Sequence, residues 1–119
     1  MLVVTVSPLD TSQAKELDRE GFQRWLREHG SDERDVIVAL YKKGSGKQTV
    51  TFDELLETAL CHGWVDTQTK GIDAERYAIR FVPRRPGSNW SARNRELARR
   101  LVAEKRMEPA GAAVLPRDL

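Results

Sequence analysis

Apolar positions along this chain change their period several times, and each change marks an element. Residues 2–6 are a β-branched run that reads as a short strand. From Asp18 the period becomes helical. Asp18 can cap a first helix, Leu17 and Phe22 occupy the two positions of a hydrophobic staple, and Phe22, Trp25 and Leu26 form an apolar stripe. Gly30 is expected to end this helix in the C′ position. Residues 36–41 are then continuously apolar with high strand propensity, which implies a strand buried on both sides or, alternatively, a buried helical segment. The basic loop 42–47 follows. Its glycines lack the spacing of a phosphate-binding loop, so it is not assigned a nucleotide.

The second helix has the strongest signal. Thr51 with Glu54 makes a capping box, and Val50 with Leu55 makes the staple. Phe52, Leu55, Leu56, Ala59 and Leu60 form the buried stripe, and Gly63 closes the helix. Two alternating segments come next and predict a hairpin with a turn over 71–76. Trp64, Asp66, Gln68 and Lys70 share one face of its first strand. Tyr77, Ile79 and Phe81 lie opposite Ala78, Arg80 and Val82 on its second strand. Pro83 and Pro86 break the strand. Ser91 caps a third helix whose Leu97, Ala98, Leu101 and Val102 face inward, and Pro109 and Gly111 end the ordered pattern, leaving a frayed tail. The order strand, helix, strand, helix, hairpin, helix predicts an α+β fold, a small sheet covered by about three helices, in one domain over 1–119.

Composition narrows the functional classes. The chain has 119 residues, 39% of them hydrophobic, enough for a core without disulfide or metal support. Its single cysteine, Cys61, has no internal partner and suggests a reducing compartment. The apolar start is too short for an export signal, and no stretch approaches the roughly 20 apolar residues of a membrane helix. The expectation is a cytoplasmic protein without membrane insertion. Net charge is only +2, but it is unevenly spread. Nine basic and two acidic residues lie between positions 80 and 106, so this half can attract an anion or simply present a solvated surface.

The richest candidate site is the loop 83–91. Arg84 and Arg85 offer forked donors suited to carboxylate or phosphate, and Ser88, Asn89 and Asn94 add neutral donors near the start of a helix. Trp64 and Trp90 can supply a flat wall, with Asp66 orienting an arginine. These eight residues are the predicted ligand-binding set. A purely structural assignment stays open: Trp90 as a core plug, Arg84 or Arg85 paired with Asp66 or Asp73, and Ser91 as a cap alone. Cys61, His62 and Asp66 have the groups of nucleophilic catalysis, but adjacent helical residues diverge by about 100°, and no second Cys/His pair completes a zinc site. No catalytic residue, metal site or cofactor is therefore assigned. Arg93, Arg95, Arg99, Arg100 and Arg106 provide the alternative, a nucleic-acid contact, although they spread around their helix.

A succession of short motifs also carries a resemblance. Gly63-Trp64-Val65-Asp66, Phe81-Val82-Pro83-Arg84-Arg85-Pro86, Ser88-Asn89-Trp90-Ser91 with Asn94, Arg106-Met107 and Pro109-Ala110-Gly111 occur in this order. Trp25-Leu26 and Leu40-Tyr41-Lys42-Lys43-Gly44 precede them. The set resembles the YdeI/OmpD-associated, bacteriocin-protection-like family over about four-fifths of the chain. It departs from the family pattern at Lys105, where a small residue is usual, and lacks the further basic helical segment that many members carry after Pro-Ala-Gly. The resemblance implies a loose link to protection against bacteriocins or cationic peptides and to an outer-membrane porin, and it brings no catalytic residues. The combined expectation is a non-enzymatic domain that binds a small anionic or planar ligand or a protein partner.

Overall fold

Val36–Tyr41 is apolar on both faces because it runs through the interior of a sheet. The computed structural model describes residues 8–119, and in it the strands β1 (Lys15–Glu16), β2 (Val36–Tyr41), β3 (Trp64–Gly71) and β4 (Arg76–Pro83) form one four-stranded sheet in the order β1-β2-β4-β3. Strand β1 pairs with β2 in parallel, and the other pairings are antiparallel. The helices are α1 (Arg19–His29), α2 (Phe52–Cys61), α3 (Ala92–Ala103) and the short α4 (Pro109–Ala112). The fold is α+β, as its element pattern predicts. The strand expected over 2–6 lies outside the described residues.

One sheet face carries the main core. Val36, Val38 and Leu40 of β2, Ile79 and Phe81 of β4 and Trp64 of β3 pack against Phe22 and Leu26 of α1 and Leu55 and Ala59 of α2. The opposite face holds a smaller cluster of Leu9, Ile37 and Ala78. Helix α3 does not add to the sheet layer. Its Leu101 packs with Leu56, Leu60 and Cys61 on the far side of α2, which makes α2 the buried middle of the structure.

Local chemistry fixes the element ends. Asp18 accepts from the Gly21 amide at 2.7 Å, the Thr51–Glu54 capping box is complete, and Ser91 accepts from the Asn94 amide at 3.1 Å. Gly63 follows α2 with φ 77°, the left-handed stop expected of it. Gly30 differs. It is the C-cap of α1 in right-handed geometry, and a Cβ there would meet the Leu26 carbonyl oxygen at 2.4 Å, so close approach rather than a left-handed turn requires glycine.

Three expectations need correction. Trp64, Asp66, Gln68 and Lys70 do not share a face, because a bulge at Thr67 lets Asp66 pair with Phe81 and Gln68 with Arg80. The bulge puts Trp64 and Asp66 on the core side and turns Gln68 and Lys70 to the other. Val102 is 43% exposed, since only Ala98 and Leu101 of α3 reach full burial. The order does not stop at Pro109 either. That proline occupies the first turn of α4, where its missing N–H costs nothing. Gly111 is buried, and Asp118 beyond it pairs with Arg95 at 3.0 Å.

Candidate functional site

The loop between β4 and α3 closes on itself around one arginine. The Ser88 amide donates to the Arg85 carbonyl at 3.1 Å and Gly87 has φ 76°, so Arg85-Pro86-Gly87-Ser88 is a turn with proline and glycine where a type II turn requires them. The Arg84 amide donates to the Gly63 carbonyl at 2.7 Å, which ties the loop to the end of α2. The Arg84 Nη1 then donates to Ser88 Oγ and to the Asn89 carbonyl, each at 3.1 Å. Its guanidinium carbon lies 3.9 Å from the centre of the Trp90 ring, a cation–π stack.

Arg84 is only 9% exposed. No carboxylate lies within ion-pair distance of it among the described residues, and its Nε is enclosed without a hydrogen-bond partner. Burial lowers its pKa, and the more distant Asp66 charge partly offsets this. An unmade hydrogen bond on an enclosed donor costs about 1–3 kcal/mol. Nη1 is committed to the loop and Nε is closed off from solvent, so an anion reaches the Nε edge of the fork only when the loop opens.

The other predicted site residues divide between this loop and the core. Ser88, Asn89 and Trp90 surround Arg84. Arg85 is exposed beside it, and Asn94 takes part through its backbone amide in the Ser91 cap. Trp64 is 2% exposed in the main core, edge-on to Trp25 at 5.5 Å, whereas Trp90 packs against the cluster between α2 and α3. The two rings therefore do not make one wall. Asp66 forms no ion pair with Arg84 or Arg85, and Asp73 is taken by Arg76 at 3.0 Å. Asp66 acts on Arg84 through its charge at a distance, not as the orienting partner expected.

The two other sequence candidates separate clearly. Cys61 is buried, and burial raises its thiol pKa, which opposes thiolate formation. His62 caps α2 with its imidazole lowered in pKa by burial and its Nε2 enclosed and unpartnered. The five arginines proposed for nucleic acid all meet carboxylates: Arg93 with Asp53, Arg95 with Asp118, Arg99 with Glu96, Arg100 with Glu57, and Arg106 with Glu57 and Glu104. Such pairing leaves little free positive charge for a phosphate backbone.

One feature has no local signature in the sequence. A cavity of about 370 Å³ opens where the ends of α1 and α2 meet α4, lined by Leu26, Arg27, His62, Trp64, Glu108 and Ala110 among others. Arg27 and Glu108 bond at 2.9 Å across 81 positions of chain, so only the folded topology brings them together.

Architecture and loop define a small α+β domain with an arginine held on a tryptophan beside a mixed sheet. Within that class, the chain belongs to the family described as Domain of unknown function (DUF8412), whose profile matches residues 15–114. No curated protein and no solved structure matches it. The matched span runs from β1 past α4 and contains both the arginine loop and the cavity.

Proposed function

We propose that this protein is a binding domain for a small oxyanion, a carboxylate or phosphate, received by residues 84–94, the loop after β4 and the first turn of α3. One observation carries the reading: among the described residues no carboxylate lies within ion-pair distance of the Arg84 guanidinium, which is buried on Trp90 with Nε enclosed and unpartnered, so that binding takes an opening of the loop that uncovers this N–H. Arg85 adds exposed positive charge beside it. The loop leads into α3, whose N-terminal dipole favours a negative ligand.

Binding rather than catalysis is favoured by the burial of Cys61, which raises its thiol pKa and opposes thiolate formation. The order of the motifs around Gly63, Arg84 and Trp90 supports extending the reading to kinship with the YdeI/OmpD-associated proteins. The protective role against cationic peptides and the cytoplasmic location form part of the same proposal. Nucleic-acid binding is the weaker alternative because its arginines are already matched by carboxylates.

Titration with inorganic phosphate and with benzoate, followed by amide and arginine Nε–H NMR shifts, tests the assignment. Saturable shifts confined to residues 84–94 with Kd of about 1 mM or tighter are expected, a modest affinity for one fork. Asp66→Asn should strengthen binding by removing a competing negative charge. Absence of perturbation around Arg84 at tens of millimolar probe would end the anion reading.

A further inference from the structure

Two serines lie on either side of Trp90, and their hydroxyls do different things. Ser91 Oγ caps α3 and accepts from the Asn94 amide at 3.1 Å, so a group added to it would break the start of the helix. Ser88 Oγ makes one hydrogen bond among the described residues, accepted from Arg84 Nη1 at 3.1 Å. Ser88 is half-buried in a run where Arg85, Pro86, Gly87 and Asn89 are exposed. A Cβ built on Gly87 would meet nothing within 4 Å, so the turn that carries this hydroxyl stands clear of the rest of the fold. Arg84 supplies the other half of the contact, a buried cation with no carboxylate within ion-pair distance among the described residues. Arg85 adds a second, exposed cation next to it.

We propose that Ser88 is a phosphorylation site and that its phosphoryl group is an oxyanion held by Arg84. The inference rests on the anion reading of this loop and gives the anion a source, a phosphomonoester of the chain itself. A phosphoryl group brings about −1.5 to −2 charge near pH 7 and three strong acceptor oxygens, which form charge-assisted bonds opposite arginines. On Ser88 its oxygens take over the bond that Oγ accepts, so it reaches the guanidinium through Nη1, without the loop opening that a free anion needs at Nε. In the transfer, Ser88 Oγ attacks the terminal phosphorus of a nucleoside triphosphate bound to a separate protein kinase. The Oγ–P bond forms as the P–O bond to the nucleoside diphosphate breaks, and the hydroxyl proton passes to a base of the kinase. The product carries opposite charges across a contact that joins a neutral hydroxyl to the guanidinium before transfer. It therefore closes the loop more firmly and excludes any free anion from the arginine.

Labelling tests the site. The full chain, incubated with γ-labelled ATP and an extract of the cells that make it, should take up label, and Ser88→Ala should lose most of it. No label on the unmodified chain, or undiminished label on Ser88→Ala, would overturn the assignment. Phosphorus NMR of the full chain carrying phosphoserine at this position tests the partner. Its second phosphate ionisation, near pH 6 in a free phosphomonoester, should titrate at least about 0.5 pH units lower in the folded chain than in urea. Arg84→Gln should remove most of that difference, and Arg85→Gln should retain at least half. If Arg84→Gln does not fold, Arg85→Gln alone still shows whether the exposed neighbour carries the effect. No lowering, or one abolished by Arg85→Gln, would remove Arg84 as the holder of the phosphoryl group. Inorganic phosphate added to the unmodified chain separates the two readings. Shifts at residues 84–94 without any lowering in the phosphoserine chain sink this inference alone, and silence in both experiments removes the anion reading with it.

Discussion

The Arg84 guanidinium carbon lies over Trp90, 3.9 Å from the ring centre, while the same group clasps Ser88 and Asn89 through one nitrogen. Stack and clasp act together. Trp90 removes water from one side of the cation, and the two neutral acceptors fix the plane of the fork. An arginine held in this way determines the shape of the loop whether or not an anion is bound, so its removal has a cost that can be measured without any ligand.

Arg84→Lys is expected to destabilise the fold by about 1–2 kcal/mol, because a lysine cannot keep the planar double clasp and the stack at once. Urea unfolding checks this. A double-mutant cycle with Trp90→Leu, which keeps an apolar side chain against the α2–α3 cluster, should return a coupling of about 0.5–2 kcal/mol. A coupling near zero would mean that the stack contributes nothing.

Gly63 and Gly111 lie far apart in sequence but belong to one contact. A Cβ on Gly63 would meet the Ala110 carbonyl oxygen at 2.7 Å, and a Cβ on Gly111 would meet the Cys61 carbonyl oxygen at 2.2 Å. The Glu108 amide donates to that same Cys61 oxygen at 2.9 Å. The end of α2 and the helix α4 therefore approach backbone to backbone. Gly63→Ala adds left-handed strain to the overlap and should cost about 3 kcal/mol or more. The loss should appear as a lowered urea midpoint, with early loss of amide protection at 108–114.

The same contact shows what the sequence could convey. Gly63 could be read as a helix stop because a left-handed terminus is a local requirement, and the capping residues Asp18, Thr51 and Ser91 were legible for the same reason. The gathering of Arg84, Ser88, Asn89 and Trp90 was legible because they fall within seven positions. Nothing local tells that Gly63 also serves α4. Strand β1 has no signature in the sequence because Lys15 and Glu16 are exposed and take their strand geometry from pairing with Val38 and Ala39. The bulge at Thr67 has no local signature because residues 66–70 are all polar, so no apolar period registers the extra residue and only the pairing partner reveals it. The cavity depends on Arg27, His62 and Glu108, three positions that no periodicity connects.

His62 gives a pH dependence with a definite sign. Burial holds the folded imidazole below its ordinary pKa of 6.5, while the unfolded chain titrates near that value. Well above 6.5 both states are neutral and the group has no effect on folding. As the pH falls below 6.5 the unfolded chain binds its proton first, so stability declines until the folded imidazole protonates too. Glu108, whose pKa is lowered chiefly by its bond from Arg27, also withdraws stability on acidification, but its window starts near the ordinary carboxyl value of 4.5. Urea midpoints measured between pH 7.5 and 5.5 therefore isolate the histidine. The wild-type midpoint should fall across that interval, and His62→Gln, which cannot titrate, should flatten the profile. A wild-type midpoint that stays level or rises on acidification would show that the imidazole is not held neutral by the fold.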